Sequence, residues 1–141
     1  MRDEMANKNP QKIDYQQIEA GYEFRPLSYQ LDTSMVANYL RAVGETSNLY
    51  QTTNLVPPMA VAAYVMAALF DSILLPPGTI HVSQELDFTG TVNAGDTITC
   101  QAKVLRKQNR GGLHLMTIGL NVFKQNQRKV MAGKTSLVLP G

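Results

Sequence analysis

Polar and apolar residues alternate through much of the second half of the chain. In IHVSQELDFTGTV, residues 80–92, the even positions hold Ile80, Val82, Leu86, Phe88 and Val92, and the odd ones His81, Ser83, Glu85, Asp87, Thr89 and Thr91. A period of two predicts a strand with its even positions facing a core, and Gln84 is the exception on that face. NAGD (93–96) is a turn, and TITCQAKVLR alternates again with Ile98, Cys100, Ala102 and Val104 inward. KQNRGG turns, LHLMTIGLNVFK returns, QNQ turns and RKVMAGKTSLVLP closes. Four successive strands joined by short turns predict an antiparallel meander.

The first half follows other periods. YEFRPLSYQL (22–31) reads as extended chain. After it, Asp32 is a natural N-cap, and Met35, Val36, Tyr39, Leu40 and Val43 recur at helical spacing. Gly44 is a natural stop. A loop to about Val56 follows. Pro57 and Pro58 suit the first turn of a helix, where a missing N–H does no harm. That helix, roughly 58–73, is apolar on every side and rich in small residues (Ala60, Ala62, Ala63, Ala67, Ala68), so other elements are expected to enclose it. PPG at 76–78 ends it. Five strands enclose one apolar helix most simply by wrapping round it. The expected fold is therefore α+β, a single hotdog domain with an antiparallel sheet wrapped around one long helix. Such a sheet has an open edge and is expected to pair with another along it.

Composition narrows the class. The chain has 141 residues, enough for one domain with a full core. Residues 15–141 are expected to form that domain, with 1–14, mixed in charge and without an apolar run, as a flexible tail rather than a signal peptide. A net charge of +2 and scattered basic residues argue against nucleic acid as a partner. The uncharged run from Val56 to Phe70 falls short of the ~20 residues that a spanning helix needs, so no membrane insertion is expected. A single cysteine, Cys100, rules out a disulfide within the chain and fits a cytoplasmic location. Metal-ligand spacing, phosphate-cradling glycine loops and nucleophile elbows are missing from the sequence, and no metal or cofactor is expected.

The candidate chemistry lies in GETSNLY, residues 44–50, which holds a carboxylate, Glu45, and a phenol, Tyr50. By itself this reads as a polar turn with a buried tyrosine. His81 reads as a half-exposed strand residue on the polar face, and His114 as structural. Cys100 reads as an inert core thiol. Met59 and Met66 fill core or line a tunnel. Arg106, Lys107 and Arg110 at one hairpin, with Arg128 and Lys129 at another turn, are solvated charges or contacts for phosphates.

With these residues in view, IHVSQELDFTGTVNAGDTI (80–98) resembles the His, Gln, aromatic, Gly-Asp pattern of the MaoC-like hydratases and dehydratases. These act on enoyl and 3-hydroxyacyl thioesters of CoA or acyl carrier protein. The form with His81 and Gln84-Glu85 is similar to the N-terminal-type domains, which include the non-catalytic subunit of two-subunit hydroxyacyl-ACP dehydratases. The likeness spans residues ~22–139 by order and spacing of elements. Active members carry a loop like Gly-Asp-x-Asn-Pro-x-His before the central helix. Its Asp and His hold a water, and a backbone N–H at the helix start polarises the thioester carbonyl.

Laid on that loop, Gly44 matches the glycine, Glu45 falls on the aspartate, Ser47 on the asparagine, Asn48 on the proline and Tyr50 on the histidine. Pro58 falls on the glycine that donates the N–H. A phenol with an ordinary pKa near ~10 is a poor base at neutral pH, and proline has no N–H. The resemblance thus implies an acyl-thioester protein with an incomplete catalytic loop. Glu45, Tyr50 and His81 are its catalytic candidates, and Ser47, Asn48, Pro58, Met59 and Gln84 its ligand-binding ones. It implies acyl-CoA or acyl-ACP as ligand, and a homodimer or a heterodimer with a catalytic hotdog subunit. Three rivals stand beside it: an active hydratase using Glu45 with His81 or a water, a hotdog thioesterase in which Glu45 activates water, and a non-enzymatic acyl-binding or sensing module.

Overall fold

The structure, a computed structural model, describes residues 12–140. In chain order it contains β1 (Ile13–Asp14), β2 (Leu27–Gln30), α1 (Thr33–Val43), α2 (Asn48–Thr52), α3 (Pro58–Asp71), β3 (Ile73–Leu74), β4 (Ile80–Phe88), β5 (Thr97–Arg110), β6 (Leu113–Lys124) and β7 (Arg128–Leu139). Of the expected tail, residues 1–11 lie outside the described residues, and Ile13–Asp14 pair in parallel with Ile73–Leu74.

Local chemistry sets the helix ends. Asp32 accepts the Met35 N–H at 2.9 Å, and that bond, with help from Ser34, holds its carboxyl below the usual range. Gly44 closes α1 at φ 71°, a left-handed conformation that glycine reaches without strain. α2 was not legible as an element. Ser47 caps it by accepting the Leu49 N–H at 3.3 Å.

The five main strands form an antiparallel sheet in the order β2-β5-β6-β7-β4. The architecture is the expected α+β hotdog: one sheet curved over α3. The expected meander of four strands holds only for β5-β6-β7. β4 pairs with β7, not with its neighbour in sequence, β5. NAGD is therefore the end of a crossing, not a hairpin turn. It is tied down where it arrives: Leu31 and Asp96 share a backbone bond of 3.0 Å, Gly95 N–H donates to Leu31 O, and Gln125 donates to the Asp96 carboxylate at 2.6 Å. The KQNRGG turn is tighter than expected. β5 continues to Arg110, and Gly111-Gly112, both at positive φ, make a two-residue hairpin. Lys107 thereby leaves the basic group, because its ammonium donates to the Tyr15 and Ile18 carbonyls at 3.0 and 2.6 Å.

α3 buries Ala60, Val61, Ala62, Val65 and Leu69 against Ile98, Val104, Ile118, Leu120, Met131 and Leu137 of the sheet. Full enclosure of the helix is not observed. Ala63 and Ala67 are exposed, and Met59 keeps 52 % of its surface open. β4 departs further: Ile80, Val82 and Phe88, expected inward, are 58, 51 and 38 % exposed. For Ile80 and Val82 the cause is a bulge; Phe88, opposite buried Met131, is on the expected face and is open because β4 is an edge strand. His81 pairs with Leu137 and Ser83 with Ser136, so Val82 is an extra residue and the alternation changes phase there. β4 is also the outermost strand, with one side unpaired.

Candidate functional site

Two groups of candidate residues emerge, at opposite ends of α3. The first lies before the helix. Glu45 and Tyr50 line one cavity of about 350 Å³, with Val36, Leu40 and Leu55 as apolar wall and Arg41 beside them. One Glu45 carboxylate oxygen accepts the Ser47 N–H at 3.0 Å, so the carboxylate also holds its own turn. Ser47 caps α2 and Asn48 begins it. Neither borders this cavity among the described residues. Leu55 connects it to a smaller hollow of about 70 Å³ bounded by Pro58, Val61, Phe88, Val92 and Val130.

The start of α3 is poor in donors. Pro57 caps it, Pro58 contributes no N–H, and the Ala60 and Val61 N–H groups turn back onto the Pro57 carbonyl at 2.9 and 3.4 Å. The Met59 N–H remains for a ligand.

The second group lies beside the end of α3. The bulge at Val82 turns His81 and Gln84 to the same, helix-facing side of the sheet. His81 Nε2 is 3.1 Å from Gln84 Oε1, and its ring meets Phe70 edge-on at 5.4 Å. Thr135, the buried polar residue of the core, donates its hydroxyl to the same Gln84 oxygen and lies 3.7 Å from the Met66 sulfur. His81 therefore does not belong to the polar face of the strand, and Gln84 is no lone exception on the apolar one. Along α3, Phe70 is about 18 Å from Pro58. Within one chain the structure brings Glu45 and Tyr50 together, and His81 and Gln84 together, but does not join the pairs.

Two groups went unremarked in the sequence. Thr135 stands in phase with Met131, Leu137 and Leu139, all buried, which was a usable signal. Tyr29 faces the core near Cys100 and Tyr64, and its hydroxyl is buried without a hydrogen-bond partner among the described residues. Burial raises its pKa. Burial also pushes the Cys100 thiol up to about 11. The reactive thiolate is therefore scarce at pH 8 in the folded state. Iodoacetamide is expected to label Cys100 at least tenfold more slowly in native protein than in urea, as mass spectrometry would show. Equal rates would place the thiol at the surface.

A family model described as FAS1-like, dehydratase domain region, matches residues 19–132. A comparison with curated proteins returns no match. Among solved structures, the R-hydratase PhaJ1 from Pseudomonas aeruginosa is similar at TM-score 0.76 and 23 % identity, covering 93 % of this chain and 88 % of that one. The (R)-hydratase from A. caviae involved in PHA biosynthesis is similar at TM-score 0.72 and 22 % identity, covering 89 % and 99 %. The HadBC (3R-hydroxyacyl-ACP dehydratase) complex from Mycobacterium tuberculosis is similar at TM-score 0.65 and 19 % identity, covering 84 % and 96 %. At these identities the structures speak for the fold, and the family model speaks for descent: the chain belongs to the FAS1-like dehydratase-region family, with the MaoC-like hotdog fold.

Proposed function

We propose that this protein binds acyl thioesters of CoA or an acyl carrier protein as a subunit of a MaoC-type hydratase or dehydratase, and that its own chain carries an incomplete catalytic loop. The opening of α3 is the observation that carries this reading. A hydratase of this kind needs a donor at the helix start to stabilise the charge developing on the thioester oxygen. Here Pro58 removes the N–H at the family's donor position and the Pro57 carbonyl takes up those of Ala60 and Val61, so Met59 alone keeps an N–H and it lies one residue beyond that position. Tyr50, on the family's base position, lines the same cavity as Glu45 but brings a phenol in place of an imidazole. The cavity is large enough for part of an acyl chain and has an apolar wall, which supports binding. The HadBC relative is a complex, which supports pairing with another hotdog chain.

An active hydratase that pairs Glu45 with His81 in one chain has little support, since the two belong to opposite ends of α3. Calorimetric titration with crotonyl-CoA tests the binding reading. Saturable binding is expected, and Ala37→Trp, which fills the Glu45–Tyr50 cavity, should abolish it. No heat with the parent protein, or undiminished binding by Ala37→Trp, would overturn the assignment.

A further inference from the structure

Among the described residues, Leu55 is the one side chain that borders both hollows before α3, the cavity with Glu45 and Tyr50 and the smaller one beyond it. The two hollows differ in character. The first mixes polar side chains, Arg41, Glu45, Gln51 and Asn54, with its apolar wall. The second is walled by Pro58, Val61, Phe88, Val92 and Val130, and no charged side chain borders it among the described residues. A thioester head fits the first, where its carbonyl and amides find polar partners. Only a hydrocarbon chain fits the second, because a polar group there would lose its water without replacement.

The partition is held by backbone. The chain around Leu55 is laced to the segment that precedes β5. The Val56 N–H donates to the Val92 carbonyl at 2.8 Å, and the Ala94 N–H donates to the Asn54 carbonyl at 2.7 Å. Between these bonds Leu55 faces Asn93 as an isolated antiparallel bridge. Its own N–H donates to Thr53 Oγ1 at 3.2 Å. With the backbone fixed on both sides, the half-buried side chain can change rotamer but cannot be carried away by a movement of the loop. An acyl chain that starts beside Glu45 and Tyr50 and grows toward α3 therefore meets a wall. Behind that wall the hollow of about 70 Å³ has room for roughly two or three methylene-sized groups.

We propose that Leu55 sets the length of the acyl chain: it closes the apolar end of the cavity, so the site takes short-chain acyl thioesters. This rests on the acyl-thioester reading above and names its substrate class. Leu55 touches the tail of the ligand and not its reacting atoms, so it selects among chains whether or not they are turned over.

Calorimetric titration with butyryl-, hexanoyl- and octanoyl-CoA tests it. Each methylene moved from water into an apolar site is worth about fourfold in affinity. In the parent protein the longer chains are expected to bind no tighter than butyryl-CoA, since their added methylenes find no room. In Leu55→Ala the two hollows join, and hexanoyl-CoA is expected to bind about tenfold tighter than butyryl-CoA. Leu55→Phe moves the wall the other way and should weaken butyryl-CoA while leaving acetyl-CoA unchanged. Place is read separately from affinity: octanoyl-CoA with a diazirine at its chain end should label Phe88 or Val130 in Leu55→Ala and neither of them in the parent. A parent whose affinity climbs about fourfold with each added methylene would overturn the inference, and that series needs no variant to fold. A Leu55→Ala series as flat as the parent's, or labelling of Phe88 or Val130 in the parent, would overturn it too. No binding of butyryl-CoA or crotonyl-CoA by the parent would instead overturn the acyl-thioester reading on which it rests.

Discussion

Tyr50→His with Pro58→Gly is expected to raise enoyl-CoA hydration from a trace to a measurable turnover. Tyr50 already lines the cavity with Glu45, so an imidazole there has a carboxylate close by to share a water. A positioned general base is typically worth ~100–10,000-fold. Pro58 is the first residue of α3, so a glycine in its place adds an N–H at the positive end of the helix dipole. An oxyanion donor contributes ~100–1000-fold. Neither substitution alone should do much, because both groups act on one transition state and their effects are not additive. Pro58→Gly should also lower stability by about 1 kcal/mol, since the unfolded chain gains freedom. The double variant is thus expected to gain activity while melting below the parent. A folded, ligand-binding double variant without hydration would show that the loop does not occupy the family's catalytic position.

Gly133→Ala is expected to be the most damaging single methyl in the sheet. Gly133 lies in β7 opposite Leu86 of β4. A Cβ there would stand 2.6 Å from the Glu85 carbonyl oxygen and 3.2 Å from a Leu86 methyl. The first contact is with backbone, so β4 itself must move. Overpacking of this kind typically costs ~1–3 kcal/mol, which for a domain of this size lowers the melting temperature by ~3–10 °C. The shift should also loosen Gln84 from Thr135 and, with it, the hold on His81. Gly119→Ala is the control. Its Cβ would meet only the side chain of Leu105, at 3.0 Å, and Leu105 is half-exposed and free to swing aside. Thermal unfolding of the two variants side by side checks the contrast. Equal melting temperatures would mean that β4 yields without resistance.

The legible parts of the fold were those written locally. Asp32 and Gly44 marked both ends of α1, the paired prolines marked the start of α3, and the double glycine marked a hairpin. Each is a residue whose own backbone or side-chain chemistry makes the boundary. What stayed hidden depends on partners distant in sequence. The alternation of 80–92 is regular on paper, yet a bulge at Val82 reverses its phase. Nothing in Val82 itself announces this, because the bulge is fixed by how β4 seats on β7. The crossing that carries β4 to the far edge was hidden for the same reason, as NAGD has the composition of a turn in either topology. α2 did carry a cap in Ser47, but five residues without an apolar stripe give no period to read. The Glu45–Tyr50 pair was found from its loop. The His81–Gln84–Thr135 group was only partly found, since reading Gln84 as an anomaly concealed that His81 shares its face.

A chain built this way is expected to bind a thioester without turning it over. The direct measurement is hydration of crotonyl-CoA by the purified protein at saturating substrate, followed by the loss of enoyl absorbance. No more than trace conversion is expected. A turnover in the usual enzymatic range of ~1–1000 per second would contradict it.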